Sequence, residues 1–96
     1  MIESWRDVWL REFFVHDTFS KRLPADLRDR VFRKLQMIDD AMCDGDLRVP
    51  MSNHFERLSG RMEGFCSVRV NERWRLIFRW DGSHAREIYL DDHSYR

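Results

Sequence analysis

Between Cys66 and Trp80 the chain alternates apolar and polar residues with a period of two. Cys66, Val68 and Val70 interleave with Ser67 and Arg69; after an Asn71-Glu72 turn, Trp74, Leu76, Phe78 and Trp80 interleave with Arg73, Arg75 and Arg79. Successive strand residues point to opposite faces, so the pattern predicts a hairpin with one face on a core and its arginines together on the other. Upstream the period lengthens. Leu27, Val31, Leu35, Ile38 and Met42 follow at helical spacing, with Pro24 suited to the first turn and Gly45 offering the stop. Nearer the N-terminus, Ile2 is expected to begin a strand. Ser4 is expected to cap a first helix carrying Val8, Trp9, Phe13 and Phe14, with Asp7 at the capping-box position. Phe55 to Leu58 reads as a short strand ended by Ser59-Gly60. Asp81-Gly82 reads as a tight turn, and Arg86 to Leu90 as a last strand with Ile88 and Leu90 on one face. The order predicts an α+β domain over residues 1–96: two N-terminal helices packed on a three- or four-stranded antiparallel sheet whose other face is open.

Composition sharpens this picture in two places. With 43% hydrophobic and 14% aromatic residues, the 96-residue chain can close one modest core and is not a disordered segment. The net charge is zero, so no global field draws the chain to nucleic acid. The local distribution differs, because Arg57, Arg61, Arg69, Arg73, Arg75 and Arg79 are opposed in their span only by Glu63 and Glu72. Arginines on an open sheet face are often solvated and paired across strands. An excess confined to one sheet instead suits phosphate recognition, since a guanidinium fork matches two phosphate oxygens. Cys43 and Cys66 are too few and too far apart for a disulfide framework or a zinc site, and Cys66 has no partners placed to make it a nucleophile. With no signal peptide and no long apolar run, a cytoplasmic protein without membrane contact is expected.

With these elements placed, the chain resembles the RelE/ParE superfamily of toxins from bacterial type II toxin–antitoxin pairs, and within it the HigB-type plasmid-maintenance "killer" branch. The matching residues are Leu58-Ser59-Gly60, Gly64, Ser67-Val68-Arg69-Val70-Asn71, Trp74-Arg75-Leu76-Ile77-Phe78 and the terminal Asp-x-His of Asp91 to His93. The Met1-Ile2-Glu3-Ser4-Trp5 start and the helical Leu35-Gln36-Met37-Ile38-Asp39 also fit. The resemblance implies the RelE-like microbial RNase fold and a ribosome-dependent mRNA endonuclease, an mRNA interferase that enters the ribosomal A site and inhibits translation. It further implies metal-free cleavage without a cofactor, in which the ribose 2′-hydroxyl attacks the neighbouring phosphate. The expected partner is a cognate HigA-like helix-turn-helix antitoxin, through which alone the toxin meets operator DNA.

The same resemblance assigns roles. Arg75 clamps the scissile phosphate and stabilises the charge that develops on it. His93 falls on the family's terminal histidine and serves as general acid or base. Asp91 orients His93 or the substrate, unless the Asp91-Asp92 pair is merely solvated. His54 lies two residues before the family's basic position, which Glu56 fills. Arg57, Arg61 and Arg69 match basic positions that hold RNA backbone, with Arg73 in the turn beside them. Asp92 stands where the family often has tyrosine, leaving Tyr95 to substitute if the tail folds back. The apolar residues Val68, Val70, Trp74, Phe78 and Trp80 are expected in the core. Two rival readings are a non-catalytic ParE-like toxin acting on a protein target such as DNA gyrase, and a plain binding module.

Overall fold

Among residues 1–92, which the computed structural model describes, the architecture is α+β. Helices α1 (Val8–His16), α2 (Arg28–Asp40) and the short α3 (Asp44–Leu47) accompany strands β1 (Glu56–Arg57), β2 (Phe65–Arg69), β3 (Arg75–Trp80) and β4 (Ala85–Asp91). The strands form one antiparallel sheet in the spatial order β1-β2-β3-β4. Its helix-facing side carries Cys66, Val68, Leu76, Phe78, Ala85 and Ile88, all fully buried in one cluster with Leu10, Val31, Leu35, Ile38 and Leu47. The period-two residues of the hairpin therefore meet the helical stripe, as their spacing predicts. Trp74 packs partly buried against the same cluster.

Helix α2 departs from expectation at its end. It stops at Asp40, and Ala41 turns extended (φ −64°, ψ 133°), leaving Met42 80% exposed and Gly45 inside α3. The early exit lets Ala41 and Leu47 both enter the core, while the Asp46 carboxylate accepts the Met42 N–H at 2.8 Å.

The N-terminal segment also behaves differently. Residues 1–6 run beside β4, with parallel bridges Ile2 to Ala85 and Trp5 to Ile88. Ser4 caps no helix: its hydroxyl accepts the Glu87 N–H at 2.9 Å, and the Asp7 carboxylate accepts the Leu90 N–H at 3.0 Å. Both side chains satisfy the edge of β4, where unpaired N–H groups would be costly. Partial burial raises the Asp7 carboxyl above its usual range, against the lowering effect of the Leu90 N–H.

Strand β4 holds one extra residue, since Ile77 pairs with Tyr89 and Arg79 with Arg86. The bulge centres on Glu87 at φ 55°. It reverses the alternation: Ala85 faces the core, yet Asp91, an even number of residues later, pairs with Arg75 on the opposite face. A regular strand would have turned Asp91 toward the helices.

That opposite face is covered in part, not bare as the pattern implied. Phe65, Ser67 and Ile77 are buried there, outside the main core cluster. The Arg6 guanidinium lies 4.0 Å from the Tyr89 ring centroid, and Arg79 lies 4.4 Å from that of Phe65. Cations stacked on aromatic rings shield apolar surface while keeping their own charge hydrated.

Candidate functional site

The register aligns three of the candidate residues. Arg69 on β2 pairs with Arg75 on β3, which pairs with Asp91 on β4, so the three form one row across the sheet on the face away from the helices. Neighbouring strands lie about 4.8 Å apart, so the row spans roughly 10 Å between its outer backbones. Asp91 is engaged in a further interaction.

The turn between β2 and β3 is built around Asn71. Its side-chain oxygen accepts the N–H groups of Arg73 (2.9 Å) and Trp74 (2.7 Å), and Arg75 Nη1 donates to the carbonyls of Asn71 and Trp74. Arg75 thus braces the turn with one end of its fork. Arg69 reaches the other way, its Nη1 lying 3.3 Å from His54 Nε2. A guanidinium only donates, so Nε2 is the acceptor and the neutral ring carries its proton on Nδ1. His54 itself holds a left-handed backbone conformation (φ 44°) after the turn Met51–Asn53, a sparsely populated conformation found often at functional sites.

His54 and Arg69 also form one wall of a cleft of about 680 Å³. The opposite wall is α2, which contributes Arg30, Arg33, Lys34 and Met37; Pro50, Ser52 and residues Val70 to Glu72 complete it. Arg30, Arg33 and Lys34 are not among the residues singled out from the sequence. Their i, i+3, i+4 spacing was the available signal that they share a face. Burial, reinforced by Arg30 and Arg33, pushes the Lys34 ammonium below its usual range.

The remaining candidates are placed apart from this group. Arg57 pairs with Cys66 and so belongs to the helix side of the sheet, where its Nη2 meets Asp44 at 2.7 Å. Asp44 also accepts the Trp80 indole N–H at 2.6 Å, and these two hydrogen bonds hold its carboxyl below the usual range. Arg61 lies in the exposed turn Gly60–Met62. Arg73 stacks 5.4 Å from the Trp74 centroid and stands 4.0 Å from Asp92. His93 and Tyr95 lie outside the described residues. Tyr89, not singled out from the sequence, occupies the next row on the same face opposite Ile77, and partial burial raises its phenol.

Among the described residues no group of three or more His, Cys, Asp or Glu side chains is placed to hold a metal ion. The convergent chemistry is instead cationic. Arg30, Arg33, Lys34 and Arg69 line one cleft, with Arg75 behind Arg69, an arrangement suited to phosphates.

Comparison with known proteins agrees over nearly the whole chain. Residues 3–93 match the family described as RelE-like toxin of type II toxin-antitoxin system HigB. The chain is 41% identical over 95 residues to Toxin HigB-1 of Vibrio cholerae, covering 99% of this chain and 100% of that one. It is 30% identical over 93 residues to Endoribonuclease HigB of Proteus vulgaris, covering 97% and 99%. An uncharacterized protein of Haemophilus influenzae is 36% identical over 93 residues, covering 97% and 92%.

Proposed function

The chain belongs to the RelE-like HigB toxins of type II toxin–antitoxin systems, and from that membership we propose that it is an endoribonuclease cutting messenger RNA in the ribosomal A site. The observation that carries the reading is the row Arg69-Arg75-Asp91 with His54 against its first member. It gathers two guanidinium groups, an imidazole and a carboxylate at one end of a rigid sheet. The relative named Endoribonuclease HigB supports the reaction class.

In this reading the substrate supplies its own nucleophile. The ribose 2′-oxygen attacks the adjacent phosphorus and loses its proton, the bond to the 5′-oxygen breaks, and that oxygen takes up a proton. The products are a 2′,3′-cyclic phosphate and a 5′-hydroxyl, so no metal-activated water is required. Arg75 and Arg69 hold the phosphate and stabilise the charge that builds on it. When Arg69 turns to the phosphate, the His54 Nε2 lone pair is released to accept a proton. His93 serves as the opposite acid or base, with Asp91 orienting it. Arg61 and Arg73 extend the backbone contacts, and Tyr95 offers a ring for stacking. Arg57 contributes by bracing β1 to α3 through Asp44.

The partner in this account is a HigA-like helix-turn-helix antitoxin, through which the toxin reaches operator DNA, and the working compartment is the cytoplasm. Among the described residues no helix is long and apolar enough to cross a membrane. Induced expression in a bacterial host, with mRNA 5′ ends mapped, tests the reading. Growth arrest with in-frame cuts, both lost in Arg75→Ala, is expected. Arrest with intact messages would overturn it in favour of a protein target.

A further inference from the structure

Several cations on the sheet are closely paired with carboxylates. Arg57, Arg79 and Arg86 each meet a carboxylate within 2.7 Å, from Asp44, Glu87 and Glu3 respectively. The α2 wall of the cleft is different. Among the described residues, the partners of its cations are neutral oxygens: Arg30 Nη1 donates to the Val70 carbonyl (3.4 Å), Arg33 Nε to the Asp29 carbonyl (3.4 Å), and Lys34 Nζ to Asn53 Oδ1. Arg30 stands one helical turn from both Arg33 and Lys34, and like charges at that spacing repel one another. Their convergence on one hollow is a standing cost that an anion in the hollow would relieve.

Lys34 is also deliberately aimed. Asn53 is fully buried, and its amide nitrogen donates to the carbonyls of Leu47 (3.1 Å) and Val49 (3.2 Å). Those bonds orient the side chain so that its oxygen is presented to Lys34. The next residue is His54, which touches Arg69 at the start of the row. One short loop therefore fixes both the ammonium on α2 and the imidazole opposite it.

We propose that the cleft between α2 and His54-Arg69 is a second phosphate subsite, in which Lys34, Arg33 and Arg30 hold the message backbone next to the nucleotide being cut. The ligand class is a single-stranded RNA phosphodiester. Two features favour RNA over an acidic segment of a protein partner. The cleft is continuous with the arginine row through Arg69, and helix neighbours about 5–6 Å apart offer successive cations to successive phosphates. The inference rests on reading the row as the cutting site.

The test uses a labelled 2′-O-methyl RNA oligonucleotide, which cannot be cut because its 2′-oxygen is capped. Its affinity for the free protein is measured across a salt series. Each lost phosphate contact on a single strand should lower the log–log salt slope by about 0.7. Lys34→Gln and Arg33→Gln are each expected to weaken binding several-fold and lower the slope by that amount, whereas Lys34→Arg keeps it. Because Lys34 contacts the buried Asn53, Arg33→Gln provides an arm that does not disturb the core. An unchanged slope in both variants, no binding by the wild type, or a loss confined to antitoxin binding would each overturn the proposal. Message cutting is read separately. An unchanged slope beside intact cutting overturns the subsite alone, whereas absent cutting beside the expected slopes overturns the reading of the row and with it the subsite's place beside the cut.

Discussion

One nitrogen of the Arg75 fork braces the β2–β3 turn through the Asn71 and Trp74 carbonyls, and in the proposed reading the remaining donors hold a phosphate beside Arg69, two tasks that a lysine could not share. Arg75→Ala is therefore expected to slow message cutting by about 10²–10³-fold, the size seen when one donor to a developing oxyanion is removed. Arg75→Lys should recover only part of that, and equal rates for wild type and the lysine variant would contradict the bidentate role. The thiols separate in the same residue-level way. Burial pushes Cys66 up to about 11, whereas Cys43 is exposed. Thiolate is the reactive form, so its population at Cys66 near pH 8 is negligible, rising only as the pH climbs toward that value. Alkylation of the native protein at pH 8 should modify Cys43 alone, and both thiols in denaturant; two equivalents in the native state would show that the sheet opens readily.

At the scale of elements, the joint between α3, β1 and β3 runs through one carboxylate. Asp44 accepts from Arg57 and from the buried Trp80 indole, so Asp44→Ala leaves an indole N–H without its partner. That change should cost about 2 kcal/mol in urea unfolding, with Asp44→Asn milder because its oxygen can still accept from Trp80. The pH dependence has a definite sign. The Asp44 carboxyl is held below its ordinary 3.8 in the folded protein, so its contribution is fully present above that value and is lost as the pH falls through the lower folded one. Equal wild-type and Asp44→Ala stability at pH 7 would show that the joint is redundant.

Elements also mark where sequence reading stopped. The alternation of Cys66 to Trp80 carries its own geometry, which is why the hairpin and the shared face of Arg69 and Arg75 were legible, although their direct pairing was not. Ser4 and Asp7 resembled helix caps, yet they serve β4 across 83 residues of chain, a competition that local spacing does not reveal. The bulge at Glu87 was equally hidden, and it is what puts Asp91 beside Arg75. Arg57 shared the arginine pattern but found Asp44, 13 residues away, on the helix side.

For the molecule as a whole, a net charge of zero conceals a strong asymmetry. Carboxylates neutralise Arg57, Arg79 and Arg86, while the cations around the cleft face neutral oxygens or Glu72, which lines the cleft 4.0 Å from Arg69 and is 96% exposed. Binding to RNA should therefore weaken steeply with salt although the protein is electrically balanced. The most direct measurement of the central claim adds purified toxin to ribosomes programmed with a defined message, with the naked message in parallel, and identifies the new ends. The account predicts cuts in the A-site codon, only on the ribosome, ending in a 2′,3′-cyclic phosphate and a 5′-hydroxyl and lost in Arg75→Ala. Equal cutting of naked message, 5′-phosphate ends, or an unimpaired Arg75→Ala variant would contradict it.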